Sequence, residues 1–305
     1  MSWFSLRRQP PDPPAPSGQP LLNNRYRLGT VLGEGGGSQV VEADDLRTGR
    51  QVAVKLIRLP DALAPGQRDE WVARLHREAE LARRLDHPDI VAVYEAGLQG
   101  TQAWLAMERV RGVDLSRYTQ RHLLLPENLV LRIGARVGAA LAHAHAQGVV
   151  HRDLKPANVL VNLAAGQVKL ADFGVARQED AALTRTGMTL GTPAYMAPEQ
   201  LAGAPASPAT DTYALGVMLF ELLAGRRPHQ AATLGDLLQA TAQQPPAALS
   251  RLRPDLPATV VAAVEQLLAR EPADRPANLE TWAASVAGLA ALMTRLLAPS
   301  ASTGL

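Results

Sequence analysis

HRDLKPANVLVNLAAGQVKLADFG, residues 151–174, sets an Asp, a Lys and an Asn on one short loop and a second Asp on the tight turn Asp172-Phe173-Gly174. That layout suits phosphoryl transfer, which asks little covalent chemistry of a protein. It needs a nucleophile held in line and divalent cations to neutralise phosphate charge. Asp153, Asn158 and Asp172 offer a proton acceptor and hard oxygen ligands for those tasks. The apolar runs Val159-Leu160-Val161 and Val168-Lys169-Leu170 between the two motifs read as a hairpin that brings them together. Either motif alone is weak evidence; the two at this separation are strong.

The chain is 305 residues long and 47% hydrophobic, enough for two lobes and a sizeable core. Only 4% is aromatic, so aliphatic and Ala packing fills that core. A formal charge of +2 from 31 basic and 29 acidic residues supports no large basic field and argues against nucleic acid as a partner. With no cysteine, disulfides, thiolate zinc sites and Cys nucleophiles are excluded. The first residues carry no apolar run of signal-peptide length, so a cytoplasmic chain is expected. Lysine occurs only at 55, 155 and 169, the remaining basic residues being Arg. A compact ammonium is thus kept where a site needs a point charge.

Residues 1–20, rich in Pro and polar side chains, read as a disordered tail, with a further short tail at 300–305. Trp3, Phe4, Leu6, Arg7 and Arg8 form at most a marginal docking patch. A small lobe is expected over 21–111 and a larger one over 112–299. From Asn24 an alternating strand leads into Gly33-Glu34-Gly35-Gly36-Gly37-Ser38-Gln39-Val40. Such a glycine run lets backbone N–H groups approach phosphate without a Cβ in the way. Val52-Ala53-Val54-Lys55-Leu56-Ile57 is a strand with one Lys in an apolar run. A helix over 68–85 places Trp71, Leu75, Glu78, Ala82 and Leu85 on one face, leaving Glu78 as the single charge in the stripe. A carboxylate there is costly unless paired, or sits hydrated at the stripe edge beside Arg74.

His87 reads as a turn residue, and a strand pair ends at Met107. Pro126 begins a helix that Gly148 stops. His143 and His145, at i and i+2, point to different faces and form no joint metal site. Asp211 opens a helix, Tyr213 to Ala224, that is apolar nearly all round and so is buried. The last apolar repeat, Leu279 to Leu296, predicts a helix packed on the large lobe. The uncharged run between Glu280 and Arg295 is shorter than the roughly 20 residues a bilayer requires.

HRDLKPAN and DFG as they stand resemble the protein kinase family, and the resemblance extends from residue 24 to about 290. It implies an α+β bilobal fold: a small β-rich N-lobe with one main helix and a larger, mainly α-helical C-lobe. It implies ATP with Mg²⁺, Mn²⁺ able to substitute, and protein substrates bearing Ser or Thr. By resemblance Asp153 receives the hydroxyl proton, Lys155 steadies the transferred phosphate, and Asn158 and Asp172 hold the metal. Lys55 pairs with Glu78, while Gly33 to Val40, Ala53, Lys55, Met107, Glu108 and Val110 surround the nucleotide. Asp114 is a weaker ribose candidate. Ser38 stands where the family pattern has its third glycine, which bears on how firmly the loop closes. Lys155, two residues after Asp153, is the family's Ser/Thr signature.

The resemblance further implies phosphorylation of Thr184 or Thr186, with Thr189 nearby, the phosphate ordering its segment through Arg152. Transient homodimers would serve such trans-autophosphorylation. Gly191-Thr192-Pro193-Ala194-Tyr195-Met196-Ala197-Pro198-Glu199 resembles the peptide-docking segment, with Arg275 the expected partner of Glu199. That pair disfavours a small-molecule phosphotransferase. A nucleotide-binding pseudokinase acting as a partner-binding module is the alternative, supported only by the glycine-loop departure.

Overall fold

The computed structural model describes residues 21–35, 37–59, 65–173 and 193–297. The tails, Gly36, Thr184, Thr186, Thr189, Gly191 and Thr192 lie outside the described residues, as does the side chain of Arg74. The N-lobe is built from β1 (Leu21–Leu22), β2 (Tyr26–Gly35), β3 (Ser38–Asp45), β4 (Arg50–Arg58), α1 (Pro65–Arg83), β5 (Val93–Gln99) and β6 (Gln102–Glu108). The strands form one antiparallel sheet in the order β1-β2-β3-β4-β6-β5. Period-two alternation along β4 divides its residues between two faces. Val52, Val54 and Leu56 pack with Tyr26, Val41 and Trp104 on one face. Ile57 joins Leu75, Ala79 and Ala82 of α1 in a second cluster. Ala53 packs with Val91, Met107 and Val110 in a third. Lys55 shares the pleat of Ala53 and Ile57, so the register delivers its ammonium to the side facing α1 and the cleft.

The C-lobe carries β7 (Val113–Asp114), α2 (Glu127–Ala146), β8 (Val159–Asn162), β9 (Gln167–Leu170), α3 (Pro198–Leu201), α4 (Pro208–Ala224), α5 (Leu234–Gln243), α6 (Leu249–Leu252), α7 (Ala258–Leu267) and α8 (Leu279–Leu297). Strands β7, β8 and β9 make a small antiparallel sheet, with β8 and β9 forming the expected hairpin. Helix α4 begins at Pro208, earlier than the apolar run suggests. Pro at the first helical position is pre-organised there, and the Ser207 N–H donates to Thr210 Oγ1 (3.2 Å) to close the entry turn. Residues 210–220 of α4 are all buried, so it is the pillar of the lobe. Gly134 lets α2 approach it closely: a Cβ there would stand 2.6 Å from Leu219 Cδ2. Trp282 anchors α8 on α7 through Nε1–H to Ala263 O (3.0 Å).

Residues 87–91 join the lobes. Val91 N–H donates to Leu170 O (2.9 Å) and Leu170 N–H to Asp89 O (2.7 Å). The buried Asp89 carboxylate accepts from both Arg136 Nε (3.0 Å) and Arg136 Nη2. The N-lobe thereby hangs from the strand that leads into Asp172. Among the described residues no helix is long and apolar enough to cross a membrane.

Candidate active site

The catalytic loop is shaped by one buried carboxylate beneath it. Arg152 has φ 68° and Asp172 φ 63°, left-handed conformations that cost a non-glycine residue about 1 kcal/mol or more. Asp211, 1% exposed at the start of α4, accepts from the N–H of His151 (2.7 Å) and of Arg152 (2.9 Å). His145 Nε2 lies 2.8 Å from the same carboxylate. His151 Nε2 in turn bonds Ala171 O (2.9 Å), and its ring meets Phe173 at 4.7 Å. The sequence singles out Asp211 as a structural residue at the opening of a helix; no local pattern signals that this carboxylate, 60 residues downstream, caps the loop.

On this platform three predicted residues converge. Lys155 Nζ stands 2.9 Å from Asp153 Oδ2. Asn158 Nδ2 donates to Asp153 O (2.8 Å) and Asp153 Oδ2 (3.2 Å). Asn158 O accepts from Ala171 N–H (2.9 Å), which ties the loop to the Asp172 turn. Across the cleft Lys55 Nζ pairs with Asp172 Oδ1 at 2.8 Å.

Here the expected Lys55–Glu78 pair is corrected. Lys55 holds Asp172 instead, and Glu78 Oε1 lies 3.9 Å from Arg152 Nη1. The physical reason is that the single ammonium is taken by the carboxylate on the turn, while Glu78 meets a guanidinium of the other lobe.

In the glycine loop Gly33 pairs with Val40, Glu34 with Gln39 and Gly35 with Ser38. Gly37, at φ 78°, supplies the left-handed turn residue. Ser38 Oγ–H donates to Gly35 O (3.0 Å), so the hydroxyl replacing the third glycine braces the hairpin. Ala53, Met107 and Val110 form one buried apolar cluster with Val91, against which Val40 and Leu160 pack. The Glu108 side chain is committed elsewhere: its Oε2 meets Lys169 Nζ at 2.7 Å and accepts from Ala92 N–H at 3.2 Å. Lys169, the one lysine outside the motifs, therefore clamps the end of β6 onto β9. Asp114 caps the short helical turn at Leu115 by accepting from Ser116 N–H (2.9 Å).

Glu199 and Arg275 form the expected pair, bidentate at 2.6 and 2.8 Å with the Arg275 side chain 1% exposed. Arg275 also donates to Ala269 O, Ala209 O and Arg270 O, which satisfies the buried guanidinium. It lies 5.0 Å over Tyr213, whose hydroxyl burial pushes up to a pKa of about 12. Tyr195 O–H donates to Glu221 Oε2 (2.5 Å); burial raises the pKa values of both groups.

A sheet lobe and a helical lobe meeting over these converging charged groups define a bilobal phosphoryl-transfer scaffold. The protein kinase domain family matches residues 26–286. Serine/threonine-protein kinase PknA of Mycobacterium tuberculosis is 40% identical over 276 residues, covering 88% of this chain and 62% of that protein. PrkC of Bacillus subtilis is 34% identical over 266 residues, covering 87% and 40% respectively. The crystal structure of the M. tuberculosis PknI kinase domain superposes with a TM-score of 0.69 at 31% identity, over 88% of this chain and 98% of that one. This chain belongs to the bacterial-type Ser/Thr protein kinases of the protein kinase domain family. It spans between 40% and 62% of the length of these two curated relatives.

Proposed function

We propose that the chain transfers the γ-phosphoryl group of ATP to Ser and Thr hydroxyls of proteins, including its own Thr184 or Thr186 during transient homodimer encounters, in the cytoplasm. The observation that carries this reading is the convergence of Asp153, Lys155 and Asn158 within hydrogen-bonding reach of one another, tied through Ala171 to the Asp172 turn. The substrate hydroxyl loses its proton to Asp153 as its oxygen bonds the γ-phosphorus and the bond to the bridging β–γ oxygen breaks, releasing ADP. Lys155 is placed to balance charge on the phosphoryl group in flight. Gly33 to Val40 would cover the phosphates, and Ala53, Met107 and Val110 would flank the adenine, with backbone groups of Glu108 to Val110 on its edge. Lobe boundaries at 21–111 and 112–299 follow from this division of labour.

The donor set suits Mg²⁺ or Mn²⁺. Asn158 spends its amide protons on Asp153, which leaves Oδ1 for a cation, and Asp172 adds a carboxylate. No cluster of three or more His, Asp or Glu stands among the described residues, so the cation would be shared with phosphate oxygens. When bound it supplies charge neutralisation and aligns the phosphates. The test is incorporation of label from radiolabelled ATP into a Ser/Thr protein substrate. Asp153→Asn should lower it by at least a hundredfold; equal labelling would overturn the reading.

A further inference from the structure

Lys169 belongs to neither the catalytic loop nor the glycine loop, yet its ammonium is held between the lobes. Along β9 the neighbours Val168 and Leu170 enter the C-lobe core, and the period of two turns Lys169 to the opposite face. Its register partner on β8 is Leu160, which packs against Ala53, Val91, Met107 and Val110, the cluster assigned above to the adenine. The Lys169 ammonium reaches the two chain segments that frame this cluster. It donates to Ile90 O (3.2 Å), one residue before Val91, and to Glu108 Oε2 (2.7 Å), one residue after Met107.

The two segments are also tied to each other. Glu108 N–H donates to Ala92 O (2.8 Å), and Ala92 N–H returns a bond to Glu108 Oε2 (3.2 Å). Side-chain exposures of 12% for Lys169 and 22% for Glu108 make this a part-buried pair, less screened than a surface one. Without the ammonium, a carboxylate would be left beside the Ile90 carbonyl with its charge uncompensated. Its relief is rotation towards water, which strains the peptide groups next to it in the chain. A compact ammonium also fits between a carbonyl and a carboxylate where a planar guanidinium does not, which accounts for Lys at this position in an Arg-rich chain.

We infer that Lys169 is a positioning residue for the nucleotide: through Glu108 it fixes the backbone groups of Glu108 to Val110 against which the adenine edge binds. This role rests on the kinase reading above. The adenine is remote from the phosphoryl group in flight, so the contact is equally strong before and during transfer. Uniform binding of that kind sets the KM for ATP and leaves kcat alone.

The test uses the full chain with Mg²⁺ and reads three quantities: KM and kcat for ATP with a protein substrate, the Kd of fluorescent N-methylanthraniloyl-ADP, and the inhibition constant of inorganic tripolyphosphate. Lys169→Met should raise the KM for ATP and the Kd of the fluorescent ADP about tenfold each, with kcat within about twofold of wild type. Tripolyphosphate has no adenine, so its inhibition constant should stay within about twofold of wild type, whereas general loosening of the cleft would weaken both ligands alike. Lys169→Arg should recover part of the loss. Glu108→Gln keeps an acceptor for Ala92 N–H and provides a second route should Lys169→Met fail to fold; it should weaken ADP by a similar factor. The double variant should be no worse than the weaker-binding single one, because both remove the same contact. Unchanged ADP binding in Lys169→Met and Glu108→Gln, a loss confined to kcat, an equal loss for tripolyphosphate, or multiplying effects in the double variant would each overturn the inference and leave the kinase reading standing. Lys169-dependent ADP binding in a wild-type chain that labels no protein would sink the kinase reading and keep the positioning role.

Discussion

Below the cleft, Asp211 accepts two backbone N–H groups at 2.7 and 2.9 Å and meets His145 at 2.8 Å, all within a buried pillar. Above it, Lys55 reaches Asp172 through a single ion pair, and Glu78 stands 3.9 Å from Arg152 on side chains 18% and 44% exposed. The floor is fixed by bonds that cannot be exchanged without unfolding the turn. The roof is held by pairs in which one charge can trade partners at little cost. The lower wall thus sets geometry, while the upper wall is free to respond to what enters.

The sharpest way to break this contrast is Asp211→Ala. It leaves two backbone donors and a histidine without their acceptor beneath a left-handed Arg152, so urea denaturation should show a loss of about 4 kcal/mol. Label incorporation should fall more than a hundredfold, because the loop that carries Asp153 loses its shape. Asp211→Asn keeps one acceptor oxygen and should cost about half as much. A loss below about 1 kcal/mol for Asp211→Ala would remove the distinction between floor and roof.

The N-lobe has its own anchor behind the roof, and it is sensitive to acid. Arg25 grips Asp45 with two bonds of 2.7 Å and reaches Glu95 at 2.5 Å, while Tyr26 O–H donates to the same Glu95 oxygen (2.7 Å). The Arg25 guanidinium, helped by Thr48 and the Arg47 N–H, holds the Asp45 carboxyl well below the usual carboxylate range. A depressed folded-state pKa means stability that is present in full above the unfolded value near 4 and is lost as pH falls towards the folded one. Asp45→Asn should therefore cost roughly 2 kcal/mol at about pH 7, with the difference from wild type shrinking steadily below about pH 4. A difference that stays constant between about pH 7 and pH 3 would show that the pair contributes no linkage.

Local and chemical features were legible in the sequence. The hairpin of β8 and β9, the buried character of α4 and the convergence of Asp153, Lys155 and Asn158 were readable from motif and periodicity, and the Glu199–Arg275 partnership from the resemblance to the protein kinase family. What was not legible depends on long-range partners chosen by packing. Asp211 under the loop, Asp89 with Arg136 and Glu108 with Lys169 are pairs between elements whose adjacency no spacing reveals. The Lys55 partner was misread for a related reason. Periodicity put Glu78 on the buried stripe of α1, but the few ångströms that decide between two carboxylates lie in the placement of α1 and of the Asp172 turn.

That competition sets the subtlest effect and the most informative. Lys55 on Asp172 serves neither a phosphate nor a cation, since one charge is spent neutralising another. On the proposed kinase reading, Asp172 would hold the metal and Lys55 the phosphates of an entering nucleotide, and the lysine would then need a carboxylate behind it to stay aimed; Glu78, one α1 turn from Leu75 and Ala82 on the inner face, is the group proposed to supply it. Glu78→Gln should thus leave stability within about 0.5 kcal/mol of wild type, because its ion pair with the part-exposed Arg152 is long and the amide keeps a polar group at the same place. Its kcat should still fall about tenfold or more, because an unbacked ammonium wanders from the phosphates. Lys55→Met should share the small stability change and lose more turnover. Were Glu78→Gln to destabilise the chain as much as Asp211→Ala does, or to leave kcat unchanged, the roof would be as rigid as the floor and the exchange of partners would have no part in the reaction.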